Sequence, residues 1–441
     1  MEFVPEVKPS HNVLTPDPTL WNSLGIDALR WHRRDQFIEW IKGLLAVPFV
    51  LDAQPTELYS ENSVALKKTA ERAATRYAEI LKDVEHLIQE HVNHEKSHIA
   101  GLSKLKLLVP SIGPFFTPLP LADAFWHEDN LRQISRRRFV PPSFNDIRMV
   151  LNTSQIMGLA QYEGVDLITF DGDLTIYEYA GQVKPDSPII QPIINLLRRG
   201  KKVGIVTAVG FPEPGMYYKL LQGLLDAIKD SDLSEEQREN LIICGGECNF
   251  MFRYSSNVPD LSYVVPRNEW ALEEMLAWTE EDIQSLLDVA ETALRDCRSN
   301  LNLPGNLLRK PRAVGIWPLP GCQIPREKLE ESVMVLQQVV EKTEVAKRVP
   351  FCAFNGGNDV FIDIGDKSYG VMSCQKYFGG IPPHRTLHIG DQFLSATGAN
   401  DFKARIACTT AWVTSPEETA LLLNSLETFE KQVKQSKENS N

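Results

Sequence analysis

The sequence predicts an α/β fold: a doubly wound parallel sheet, split by a large inserted α+β cap and preceded by a mainly helical N-terminal domain. Three observations predict it. From about residue 165, strand-like and helical runs alternate (VDLITF, SPIIQPIINLLRRG, KKVGIVTA), which spells a β-α-β unit and so a parallel sheet. The same rhythm returns in DVFIDIG, RTLHIGDQ and ACTTAWV. Between them, helical stretches such as WTEEDIQSLLDVAETALRDCRSNL and PREKLEESVMVLQQVVEKT surround a few strand-like pieces, an interruption too long for a loop.

Upstream, little periodicity marks a loosely held arm over residues 1 to 25. From Trp31 the pattern turns helical, with Phe37, Trp40, Ile41, Leu44 and Leu45 at three- and four-residue spacing. A longer helix over residues 63–94 carries Ala73, Tyr77, Ile80, Leu81, Val84, Leu87, Ile88 and Val92 on one stripe. Such a stripe must be covered, inside the domain or by another subunit, the first being slightly favoured. The Pro-rich run LLVPSIGPFFTPLPL reads as irregular packed chain. Arg132, Arg136, Arg137 and Arg138 then precede a helix capped by Ser143 and carrying Arg148. These guanidiniums either clamp a phosphate group or form a solvated face. The expected division is a helical domain over 1–160, a catalytic core over 161–210 and 346–430, an inserted cap over 211–345, and a polar tail over 431–441.

A formal charge of −12 argues against broad phosphate neutralisation, so nucleic acid is not an expected partner. The start of the chain has no export-signal pattern, and no apolar run approaches a membrane span. Seven cysteines without a C-x-x-C pair suit a reducing compartment, and a cytoplasmic protein is expected.

The sharpest chemical feature follows the first strand of the sheet: Phe170-Asp171-Gly172-Asp173-Leu174-Thr175. Ligands of open parallel sheets bind beyond the carboxyl ends of the strands, so both acids point into a site. Two carboxylates one residue apart can divide the work, one attacking phosphorus while the other serves the leaving oxygen. This segment resembles the D-x-D-x-T motif of haloacid-dehalogenase-type phosphotransferases. Asp at its third position is the form found in phosphatases, where an ester oxygen must be protonated. Three further elements follow in that family's order: Thr207 ending VGIVT, Lys367 in FIDIGDKSYGV with Lys376 as a weaker rival, and Asp391 ending TLHIGD. One departure stands out. The family's second acid of the last motif comes four or five residues after the first, whereas Asp401 here comes ten residues after Asp391, which leaves its role open.

The resemblance implies a magnesium ion, an oxygen-ligand site suited to a hard cation, held by the side chains of Asp171 and Asp391 and the carbonyl of Asp173. It implies Asp171 as nucleophile, Asp173 as general acid and base, and Thr207 and Lys367 as partners of the phosphoryl oxygens. Other features are weaker. His91, His94 and His98 share helical spacing but read as a polar face. The paired glycines fit neither a Walker loop nor a dinucleotide fingerprint.

Segments without a catalytic role narrow the likeness. FIEWIKGLLAVPFVLD, KLKLLVPSIGPFFTPLPL, RRFVPPSFNDIRMVLNTSQI, GGECNFMFRY, RAVGIWP and ANDFKAR are similar to the inosine-5′-monophosphate-specific 5′-nucleotidases of fungi and protozoa. That resemblance, running from about residue 31 to 425, implies hydrolysis of IMP to inosine, a homotetramer, and regulation by ATP through the N-terminal region. Asp171, Asp173, Thr207, Ala208, Asp363 and Lys367 are then expected around the substrate, and Arg137 and Arg148 around effector phosphates. From the cap, Phe252 would stack on the purine and Arg253 donate to ribose or base, although plain core is the commoner reading of such a Phe. A broader nucleotide or sugar-phosphate phosphatase, and a catalytically inactive nucleotide sensor, are the competing readings.

Overall fold

The computed structural model describes residues 35–53, 63–97, 101–137, 139–393 and 400–439. The expected N-terminal arm, Trp31, His98 and Arg138 lie outside the described residues.

The N-terminal helices form where the apolar stripes predict them. Helix α1 (Gln36–Pro48) is capped by Asp35, whose carboxylate accepts from the Ile38 N–H at 3.0 Å. Helix α2 (Ser63–Lys96) buries Ala73, Tyr77, Leu81, Val84, Ile88 and Val92, with Ile80 and Leu87 half-buried at the margin of the stripe. Its cover comes from within the chain: Tyr77 meets Phe125 of α3 (Leu121–Arg132) edge-on, ring centroids 5.9 Å apart. Helix α4 (Phe144–Tyr162) opens on a capping box, in which the Ser143 hydroxyl accepts from the Asp146 N–H and the Asp146 carboxylate accepts from the Ser143 N–H.

Eleven strands form two sheets among the described residues. They are β1 (Leu167–Phe170), β2 (Lys202–Val206), β3 (Leu241–Gly245), β4 (Phe250–Tyr254), β5 (Ser262–Val264), β6 (Gly305–Lys310), β7 (Ala313–Pro318), β8 (Phe351–Asn355), β9 (Val360–Ile364), β10 (Thr386–Gly390) and β11 (Thr409–Trp412). The main sheet runs β11-β10-β1-β2-β3-β4-β5, parallel from β11 to β3 and antiparallel at β4 and β5. Its inner strands are covered on both faces, which is why they read as short apolar runs. Strand order reverses at β1, so the carboxyl ends of β1, β2 and β10 open on a shared crevice. Asn152 of α4 exchanges two hydrogen bonds, of 2.7 and 2.9 Å, with the backbone of Trp412 and fastens the helical region to the edge of this sheet.

The second sheet, β6-β7-β9-β8, is antiparallel throughout. Helices α5 (Glu280–Asn300) and α6 (Arg326–Glu341) cover it, and Leu286, Leu287, Val333 and Leu336 share a core with Val314, Ile316 and Ile362. These limits differ from the expected insertion over 211–345. Residues 241–264 complete the main sheet, and residues 351–364, expected to resume the core, belong to the second sheet. The reason is physical: LIICG and VFIDI are both short, wholly buried strands, and an apolar run carries no signal of which sheet it joins. All seven cysteines are unpaired, and no helix of the described residues is long and apolar enough to cross a membrane.

Candidate active site

The crevice gathers its chemistry from three strand ends and one helix start. Asp171 follows β1 directly, its N–H donating to the Ile389 carbonyl of β10 at 2.9 Å. The chain then curls so tightly that Leu174 adopts φ +53°, and a side chain at Gly172 would collide with the Tyr177 hydroxyl and crowd the Thr207 hydroxyl. Thr207 follows β2 directly, buried and facing this turn. Lys367 is the first residue of α7 (Lys367–Tyr377), where the Asp366 cap accepts from the Ser368 N–H at 2.9 Å. Asp391 follows β10.

The side chains converge. Lys367 Nζ, wholly buried, lies 2.6 Å from Asp171 Oδ1 and 2.6 Å from Asp401 Oδ1. Carboxylate oxygens of Asp171, Asp391 and Asp401 lie within 4.8 Å of one another. Asp401, whose role the sequence left open, therefore returns to the site despite its distant position in the chain. Asp173 directs Oδ1 to the Ala180 N–H at 2.8 Å, on the open side of the turn.

Burial dominates the electrostatics. It pushes Asp171 up to about 7 against the pull of Lys367, with Asp401 adding to the rise. Burial, with Asp171 and Asp401, also holds Asp391 well above the usual carboxylate range. At Asp401 burial acts upward too, yet Lys367 and His388 reverse it and keep this carboxyl low. The Lys367 ammonium is disfavoured by burial but raised on balance by Asp171, Asp401 and Glu247. One ammonium thus faces three carboxylates, and Asp391 Oδ1 is buried without a hydrogen-bond partner. An oxygen-only cluster with surplus negative charge and an unpartnered acceptor fits a divalent cation. Both oxygens of Asp401 are engaged, Oδ1 by Lys367 and His388 and Oδ2 by the Gln392 N–H at 2.8 Å, so spare ligating capacity rests with Asp391.

The second sheet closes over this crevice. Ala208 packs against Ala313, Cys352, Phe354 and Phe361. Asp363 is buried on β9 and pushed up to about 7 by burial, with Lys310 opposing. Asp359, raised to about 6 chiefly by burial, also feels the charge of Asp173.

Other expected residues sit elsewhere. Phe252 lies in the main sheet, fully buried with its ring 4.7 Å from that of Tyr217, and offers no face to a purine. Arg253, its neighbour on β4, pairs with Glu239 at 2.6 Å. Arg137 grips Asp146, with Nη2 2.9 Å from Oδ1. Arg148 is buried, donating to Asn145, to Glu418 at 2.8 Å and to the Trp412 carbonyl. It reads as a fastener between α4 and the sheet, although it also borders a cavity with Asp35, Asn152 and Arg405. Lys376 donates to the Ala271 carbonyl and is no rival to Lys367. His91 does not lie on the expected polar face: it is buried, edge-on to Phe115, and held by the Ser103 hydroxyl at 2.6 Å and the Gly113 carbonyl at 3.2 Å.

Sequence reading missed His388, Glu247, Asp359 and Lys310. Only His388 carried a signal, an imidazole at a buried position of the strand that leads to Asp391.

Residues 27–423 match the family described as IMP-specific 5′-nucleotidase. The IMP-specific 5′-nucleotidase 1 of Emericella nidulans is 53% identical over 440 residues, covering 92% of this chain and 97% of the relative. Its counterpart in Saccharomyces cerevisiae is 43% identical over 439 residues, covering 90% and 97%. Among solved structures, an IMP-bound mutant of Plasmodium falciparum IMP-nucleotidase aligns with a TM-score of 0.76 at 28% identity, over 93% of this chain and 98% of that one. The ATP-bound form aligns with a TM-score of 0.74 at 28% identity, over 96% and 94%.

Proposed function

The chain belongs to the IMP-specific 5′-nucleotidase family, and from that membership we propose that it hydrolyses IMP to inosine and phosphate, with magnesium as the required ion. The observation that carries this reading is the meeting of Asp171, Lys367, Asp391 and Asp401 in one cluster at the strand-order reversal, all buried but the half-buried Asp391.

The residues divide the reaction as follows. Asp171 attacks phosphorus in line, forming an aspartyl-phosphate as the bond to the nucleoside oxygen breaks. Asp173, which burial keeps above the usual carboxylate range, donates its proton to that departing oxygen. Water then attacks the aspartyl-phosphate, gives a proton to Asp173, and releases phosphate with Asp171 restored. Lys367 and the Thr207 hydroxyl offset the charge spread over the phosphoryl oxygens. A divalent ion held by Asp171, Asp391 and the Asp173 carbonyl would supply the charge compensation that brings an anionic nucleophile to an anionic phosphate. Selection of a 6-oxo purine over adenine follows if a donor meets O6 and an acceptor meets N1–H, since AMP would leave both unpaired. Asp363 and Ala208, at the junction with the second sheet, belong to the proposed substrate pocket. Phe252 and Arg253 do not.

Regulation by ATP is proposed from the ATP-bound Plasmodium relative, with the cavity bordered by Arg148 and Arg405 as its place, although Glu418 and Asp35 already pair with these two arginines and a bound phosphate would have to share them. Arg137, committed to Asp146, is not retained. A homotetramer is proposed from family likeness, and the exposed Leu102, Leu107, Leu108, Phe139 and Val140 give it apolar surface to bury. The test is phosphate release from IMP, AMP, GMP and a hexose phosphate, with and without magnesium and ATP. Turnover of IMP far above the others supports the reading; equal turnover of all, or none, refutes it.

A further inference from the structure

The buried cluster continues past Lys367 to a residue that no part of the proposed reaction uses. His388, on β10 and wholly buried, directs Nε2 to Asp401 Oδ1 at 3.1 Å and Nδ1 to the Thr169 hydroxyl at 2.9 Å. Thr169 is its register partner on β1, two residues before Asp171. The contacts therefore close a ring from the nucleophile's strand through Thr169, His388, Asp401 and Lys367 back to Asp171. Because Nε2 faces a carboxylate oxygen it must carry the proton, and Nδ1 is left to the Thr169 hydroxyl.

We propose that His388 is a positioning residue for the phosphoryl transfer, acting through Asp401 to hold Lys367 against the nucleophile. The inference rests on the phosphatase reading above. Asp401 arrives ten residues after Asp391, on chain that has left the sheet, so its carboxylate needs a fixed reference. Of the three groups that grip it, the Gln392 N–H belongs to the same connection and Lys367 is the group to be placed. His388 alone is anchored within a central strand. Both it and Lys367 donate to the same oxygen, so a rotation of the carboxylate displaces the ammonium directly.

The test compares two polar replacements in the full-length protein. In His388→Gln the amide nitrogen stands as far from Cα as Nε2 does and can still donate to Asp401. In His388→Asn it stands as far as Nδ1 and reaches only Thr169. We expect His388→Asn to lower kcat by roughly 100-fold, the scale of an ångström-size misplacement, with KM for IMP within about threefold of wild type. His388→Gln should stay within about tenfold of wild type in kcat. In crystal structures Lys367 Nζ should leave Asp171 in the Asn variant and keep its place in the Gln variant. Equal kcat in the two variants, a loss confined to KM, or an unmoved Lys367 in the Asn variant would overturn the inference. Should wild type release no phosphate from IMP, the nucleotidase reading fails separately and the crystal comparison alone decides the role of His388.

Discussion

Lys367 Nζ stands 2.6 Å from Asp171 Oδ1 with both side chains inside the protein, so the group that neutralises the proposed nucleophile also helps to hold the fold. Removing one partner of a buried ion pair leaves a charge uncompensated, at a cost of about 3–5 kcal/mol. Lys367→Met should therefore lower the unfolding midpoint as well as abolish turnover. Magnesium should restore part of that stability by taking over the neutralisation of Asp171. Denaturation with and without the ion checks this, and a variant as stable as wild type would contradict it.

Asp171→Asn keeps the size of the side chain and removes the attacking oxygen's charge. Phosphate release should vanish while the thermal transition stays cooperative. Measurable wild-type turnover in this variant would exclude Asp171 as nucleophile.

Asp391 has the spare ligating capacity, so its loss should separate metal binding from folding. Wild type should gain about 2.7 kcal/mol of stability when magnesium reaches 100 times its dissociation constant. Asp391→Asn should gain far less at the same concentration. Equal gains, read from melting curves across a magnesium titration, would place the ion elsewhere.

At Asp363 the pH dependence has a definite sign. Burial raises its folded value to about 7, above the unfolded value near 3.8, so the folded state binds this proton more tightly. Stability is then lost as pH rises from about 4 to 7, and the charged form is carried at a cost above that. Asp363→Asn never bears the charge, so its midpoint relative to wild type should be higher at pH 8 than at pH 5. A difference independent of pH would show that Lys310 fully compensates the carboxylate.

Phe252 provides a test of the corrected placement. Phe252→Ala should cost about 3–5 kcal/mol as a core cavity. KM for IMP should stay unchanged in the fraction that remains folded, because the ring packs on Tyr217 and not on a base. A raised KM at unchanged stability would return Phe252 to the substrate pocket.

What the sequence by itself determined was local: the α2 stripe, the Ser143 cap, the strand-helix-strand rhythm, and the acids, hydroxyl and lysine at strand and helix ends. Each depends on neighbours within a few residues, where periodicity and turn chemistry act. Only the tertiary structure decided which sheet LIICG and VFIDI join, that Phe252 faces the core, and that Arg148 is spent on Glu418 and the Trp412 carbonyl. The same is true of Asp401. Nothing in its spacing from Asp391 shows that it will meet Lys367, because that meeting depends on β10 lying beside β1 and on a helix that starts 34 residues earlier in the chain. Strand pairing and side-chain burial are set by the whole packed chain, and a carboxylate acquires its partners and its charge state only after that packing is complete.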